Sequence, residues 1–118
     1  MTKIKICGLT REQDIGFVNE ALPDYIGFVF AESKRRIDFD TAKKLKNMLR
    51  QNIKAVGVFV NEDINFIKKL CDENIIDVIQ LHGDENEMYI KQLRGFSDKP
   101  IIKAMRIGRK EEIGRAHV

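Results

Sequence analysis

The side chains able to do chemistry stand at the ends of short apolar runs. Ile4-Lys5-Ile6 leads directly into Cys7 and Gly8. A thiol is reactive only as thiolate, which calls for nearby positive charge or backbone donors. Lys5, two residues earlier, shares the face of Cys7 on a strand. The plainer reading makes Cys7 a small buried hydrophobe. Ser33-Lys34-Arg35-Arg36 follows a second apolar run, and a guanidinium there can hold a carboxylate through two hydrogen bonds. It can equally be a solvated basic loop. Gln80 and His82 flank Leu81 at the end of a further run, where His82 could hydrogen-bond a ligand or satisfy a loop carbonyl. Gln80 would line the same space. Asp84 suits a helix cap better than a catalytic acid. Cys71 falls on the apolar face of a helix and reads as core. Lys103 could face the mouth of the fold, though a Schiff-base role would need a lowered pKa.

These residues need a scaffold that brings strand ends together. Apolar runs over 4–7, 25–30, 55–60, 77–81 and 100–104 read as strands. Between them, Ile15, Val18 and Leu22, then Ala42, Leu45 and Leu49, then Ile64, Ile67, Leu70 and Cys71, then Tyr89, Ile90 and Leu93 mark four helices by their spacing. Thr10-Arg11-Glu12-Gln13 has the form of a capping box, with Gln13 reaching back. Strand starts at 4, 25, 55, 77 and 100 repeat every 21 to 30 residues. Five parallel strands joined by four right-handed helical crossovers follow. Periodicity alone leaves two architectures open: an open doubly wound sheet, or the first five strands of an eight-fold barrel.

A chain of 118 residues suits one domain with a real core. Its 43% hydrophobic and 33% charged residues describe an ordinary globular protein. A net charge of +3, with both signs mixed throughout, argues against a nucleic-acid or membrane surface and suits an anionic small molecule. No apolar run approaches the roughly 18 residues of a membrane span. No signal peptide is expected ahead of Lys3. Two cysteines make no disulfide framework, so a cytoplasmic location is expected. No metal is expected, since Cys7, Cys71 and His82 lack ligand spacing. Gly8, Gly27, Gly57 and Gly83 form no dinucleotide or phosphate-loop fingerprint.

Four segments together resemble the phosphoribosylanthranilate isomerase family of tryptophan biosynthesis. They are Lys5-Ile6-Cys7-Gly8-Leu9-Thr10, Gly27-Phe28-Val29-Phe30 with Ser33-Lys34-Arg35, Val56-Gly57-Val58-Phe59-Val60-Asn61, and Gln80-Leu81-His82-Gly83-Asp84-Glu85. They come in the family's order and spacing, over roughly residues 3–107. The resemblance implies an α/β fold, the (β/α)8 TIM barrel, of which only about the first five strands and four helices are present. Residues 1–112 would be the N-terminal part of one barrel domain. Residues 113–118, which read as one frame of a common sequencing adapter, are expected to be a non-native tail, leaving His117 without function. Such a chain would expose unpaired strand edges and favour self-association.

The resemblance also implies a chemistry, the Amadori rearrangement of an aldosylamine to a 1-amino-1-deoxyketose phosphate. Cys7 would be the general base, Arg35 the partner of the anthranilate carboxylate with Arg36 as the alternative, and His82 and Gln80 further substrate contacts. The general acid, an aspartate, and the glycine-rich phosphate loops belong to the family's second half, so this chain itself is expected to be inactive. No cofactor is implied. The parent would be a monomer or homodimer, possibly fused to or acting beside other tryptophan-pathway enzymes. The competing expectation is a complete flavodoxin-like binding or receiver module without enzymatic activity.

Overall fold

The computed structural model describes residues 4–103. The expected strand residue at 104 and the expected tail at 113–118 lie outside the described residues. Five strands, β1 (Lys5–Cys7), β2 (Tyr25–Val29), β3 (Lys54–Phe59), β4 (Val78–Leu81) and β5 (Ile101–Lys103), alternate with four helices, α1 (Glu12–Ala21), α2 (Phe39–Met48), α3 (Ile64–Asp72) and α4 (Glu87–Arg94). All neighbouring strands pair in parallel, in the order β1-β2-β3-β4-β5. Right-handed crossovers that always step the same way put every helix on one face. A doubly wound sheet must instead reverse its strand order to place helices on both. The unreversed order therefore overturns the flavodoxin-like expectation and leaves the barrel.

Alternation along the strands separates two faces. Ile26, Phe28, Ala55, Phe59, Ile79 and Leu81 pack into a helix-side core with Ile15, Val18, Ala42, Leu45, Ile67, Leu70 and Leu93. Burying these apolar side chains, at about 1.5–3 kcal/mol for each one larger than alanine, is the main favourable term in the fold. The register puts Cys7, Gly27, Val56 and Val78 in one row of the opposite face, and Val29, Val58, Gln80 and Ile102 in the next. That face lines a largely apolar cavity of about 340 Å³ with Lys5, Tyr25, Val56, Val78, Gln80, Pro100 and Ile102. At the amino ends of the strands, the Asp77 carboxylate accepts from Lys46 Nζ at 2.6 Å and the Ala55 N–H at 2.8 Å.

Three local expectations are corrected. Asp14, rather than Gln13, reaches back at the start of α1, accepting from the N–H groups of Thr10 and Arg11 at 3.0 Å each. The helix begins at Glu12, so Asp14 holds the third position that such a cap requires. Leu22 is not on the buried face; it closes α1 in the left-handed conformation, φ 52°, and is 54% exposed. Asn86, rather than Asp84, caps α4, its Oδ1 accepting from the Tyr89 N–H at 2.9 Å. The reason lies in Glu85, which turns inward and delays the helix.

Candidate functional site

Cys7 is the last residue of β1 and is exposed. Its register partner is Gly27 on β2, and a Cβ added at Gly27 would lie 3.0 Å from the Cys7 Sγ. A side chain there would crowd the thiol. Gly8 follows with φ +80°, a conformation that L side chains rarely adopt, and its N–H donates to the Gly27 carbonyl at 3.0 Å. The Arg35 side chain lies directly over Gly8. A Cβ on Gly8 would overlap the Arg35 Cδ and fall 3.1 Å from Nη1 and 3.3 Å from Nε.

The loop after β2 explains how Arg35 gets there. The Ile37 N–H returns to the Val29 carbonyl at 2.9 Å, closing the loop, and the Arg35 N–H donates to the Ser33 Oγ at 2.9 Å in a serine turn. Cys7, Gly8, Thr10, Arg11, Lys34 and Arg35 share the lining of one cavity of about 390 Å³. With three cations and Asp14 on its wall, the cavity suits an anion. Arg36 turns the other way, into a separate cavity with Phe30, Phe39, Glu62 and Phe66, and its guanidinium stands 3.9 Å from Glu32. Of the two arginines, the fold brings Arg35 to Cys7.

His82 follows β4 directly and is exposed, its N–H donating to the Phe59 carbonyl at 2.9 Å. It does not line the Cys7 cavity. It is joined to β1 by side chains instead. Lys5 Nζ donates to Gln80 Oε1 at 2.5 Å, and Gln80 Nε2 meets His82 Nε2. The Lys5 ammonium, on the same strand face as the thiol, thus reaches across the sheet to β4.

A second polar cluster was not anticipated. The Glu85 side chain is fully buried, accepting from the N–H groups of Asn61 and Gly83 at 2.8 Å each and from Lys103 Nζ at 2.7 Å. Lys103 also donates to the Gly83 carbonyl at 2.5 Å. One carboxylate therefore ties together the carboxyl ends of β3, β4 and β5. Burial pushes the Glu85 carboxyl up, but Lys103 and the backbone N–H groups of Asn61 and of Glu85 itself outweigh it and hold the group below its ordinary value. Lys103 pairs in register with Leu81, on the helix side of the sheet, and its ammonium is taken up by Glu85 and Gly83 at the strands' carboxyl ends. Asn61, at φ 49°, accepts from the Asp84 N–H at 2.9 Å, which completes the turn beneath His82. Cys71 is buried on α3, and burial pushes its thiol up.

A singly wound parallel sheet, helices on one face and polar side chains at the strands' carboxyl ends, defines part of a (β/α)8 barrel of the enzyme type. Among the described residues, no helix is long and apolar enough to cross a membrane. Residues 4–117 match the family model for N-(5′-phosphoribosyl)anthranilate (PRA) isomerase, and the chain belongs to that family.

The N-(5′-phosphoribosyl)anthranilate isomerase of Endomicrobium trichonymphae is 54% identical over 107 residues, which cover 91% of this chain and 54% of the relative. That of Clostridium acetobutylicum is 55% identical over 96 residues, covering 81% and 47%. A phosphoribosyl anthranilate isomerase solved in complex with reduced 1-(o-carboxyphenylamino)-1-deoxyribulose 5-phosphate superposes with a TM-score of 0.82 at 32% identity, over 94% of this chain and 57% of that one. The chain thus spans about half the length of the curated relatives it matches.

Proposed function

We propose that the protein represented by this chain is the N-(5′-phosphoribosyl)anthranilate isomerase of tryptophan biosynthesis. The observation that carries the reading is that Cys7 and Arg35, whose side chain packs over Gly8, line one cationic cavity. The reaction is an internal exchange of hydrogens along one carbon skeleton, so it needs no external oxidant or reductant. An acid protonates the ribose ring oxygen, the ring opens and a Schiff base forms. A base then takes the proton from the adjacent carbon, and the enolamine tautomerises to the ketone.

In this reading Cys7, as thiolate, is the base, and the positive charge of Arg11, Lys34 and Arg35 is the setting in which a thiolate works. Arg35 holds the anthranilate carboxylate through a charge-assisted pair. His82 and Gln80 bind from β4. The acid and the phosphate site come from the half of the barrel that the relatives have beyond this match. Residues 1–112 would form the N-terminal part of that single domain. Sequencing an independent clone across the codon for Glu112 tests whether residues 113–118 are foreign to it. An exposed thiol suits a reducing cytoplasm, acting as a monomer or a homodimer.

The test is a chimera in which residues 4–103 replace the matching segment of the Clostridium acetobutylicum relative. A folded chimera is expected to turn over N-(5′-phosphoribosyl)anthranilate. Its Cys7→Ala variant should lose at least about 100-fold in kcat. A folded chimera without activity, or a Cys7→Ala variant that keeps it, would overturn the proposal.

A further inference from the structure

His82 has two ring nitrogens, and the groups around it decide which carries the proton. The chain of contacts starts at Lys5, whose ammonium can only donate. Its partner on Gln80 must therefore be the carbonyl oxygen, and Lys5 Nζ does meet Oε1 at 2.5 Å. The opposite end of that amide is then the NH2 group, which can only donate as well. It meets His82 Nε2, so Nε2 must be the accepting nitrogen. In the neutral ring the proton is left on Nδ1.

The three residues are positioned for this by the sheet. Lys5 and Gln80 lie on the same face, two strands of separation being spanned by the long lysine side chain, and both line the cavity there. Gln80 and His82 are two apart at the end of β4, which keeps them on one face. His82 is fixed from behind as well, by its own N–H on Phe59 and by the Glu85 cluster under the following turn.

We propose that Lys5 is a positioning residue that acts through Gln80, holding His82 as the Nδ1–H tautomer, so that His82 meets an anionic or carbonyl ligand as a hydrogen-bond donor. Only the ligand-facing part rests on the isomerase reading; the tautomer is a property of the chain itself. It gives Lys5 a task that the Cys7 chemistry does not use, and it separates His82 from any role as a proton acceptor through Nδ1.

The experiment is nitrogen-15 NMR of the imidazoles in the full 118-residue chain at a pH of about 9, above the ordinary histidine range. The chain has two histidines, so a His117→Ala variant assigns His82. The expected His82 spectrum has a protonated, pyrrole-type Nδ1 and a bare, pyridine-type Nε2. Lys5→Met should release the amide and move both resonances toward the mixture of an unconstrained ring. Gln80→Glu, whose carboxylate can only accept, should reverse the tautomer to Nε2–H. An Nε2–H ring in the unsubstituted chain, or a Lys5→Met spectrum unchanged from it, would overturn the proposal. If Lys5→Met does not fold, the unsubstituted and Gln80→Glu spectra decide alone. In the chimera, Lys5→Met is expected to raise KM roughly tenfold, the scale of one hydrogen bond, with a smaller change in kcat. An inactive chimera with the Nδ1–H tautomer intact would count against the isomerase reading and leave the tautomer standing.

Discussion

Arg35 rests on Gly8: a Cβ on Gly8 would overlap its Cδ, and Gly8 itself sits at φ +80°. The glycine does two things at once. It allows the left-handed turn that ends β1, and it leaves the surface on which Arg35 lies, in the cavity that Cys7 also lines. Gly8→Ala should therefore cost about 1–3 kcal/mol from backbone strain and also push Arg35 off its seat. In the chimera, kcat/KM should fall about as far as in Arg35→Ala, and the melting temperature should drop, which Arg35→Ala alone should not cause. A Gly8→Ala variant with unchanged KM would mean that the seating of Arg35 has no part in binding.

The two neighbouring arginines are expected to behave differently. Arg35 shares a cavity with Cys7, whereas Arg36 lines a different one beside Phe30 and Phe66. A charge-assisted pair to a carboxylate contributes roughly 1.5–3 kcal/mol, so Arg35→Ala should lower kcat/KM by about 10- to 100-fold. Arg36→Ala should lower it by less than about threefold, because its exposed contact with Glu32 is of the weak surface kind. Steady-state kinetics on both variants checks the order; the reverse order would assign the carboxylate to Arg36.

The sequence and the structure agree where a feature depends on local pattern. β2 shows this: Ile26, Gly27 and Phe28 are all buried, which is why the run is apolar without alternation. Helix caps were legible only to within a few residues, because several acceptors compete at each start. Thr10 and Asp14 stand at one helix, Asp84 and Asn86 at another, and the choice depends on what the loop does next. Gly27 was readable as a strand glycine, but its contact with Cys7 needs the register of two strands. Glu85 was out of reach for the same reason. Its partners lie 18 and 24 residues away, and nothing local separates it from the exposed acidic residues beside it.

Glu85 makes stability depend on pH in a defined direction. Its carboxyl is held below its ordinary value by Lys103 and two N–H donors despite burial. A depressed carboxyl contributes stability that is fully present above the unfolded-state pKa, about 4.3, and is lost as pH falls through the folded-state value. Glu85→Gln should cost about 2–3 kcal/mol at neutral pH, since the amide keeps one acceptor but loses the charge facing Lys103. Urea unfolding at neutral pH and near pH 3 checks this. The gap between the two proteins should narrow in acid, and a gap that stays constant would assign the cost to packing instead.

Tyr89 sets the opposite limit. Its hydroxyl donates to the Glu62 carbonyl at 2.6 Å, and burial, with Glu85, Glu62 and Asp63 nearby, pushes its pKa up to about 12. The folded chain therefore keeps this proton through a range in which the unfolded chain, with an ordinary tyrosine near 10, has released it. Protons bound only in the folded state make stability fall as pH rises, so the contribution of Tyr89 is complete below about pH 10 and declines toward 12. Tyr89→Phe should destabilise by about 1 kcal/mol at neutral pH, the net value of one buried hydrogen bond, and should flatten the alkaline decline. The chain has two tyrosines, so a Tyr89→Phe difference spectrum isolates this residue. Absorbance titration of the tyrosinate should show it ionising only near pH 12 while the chain stays folded. Ionisation near pH 10 in the folded chain would mean that the bond to Glu62 is not held in solution.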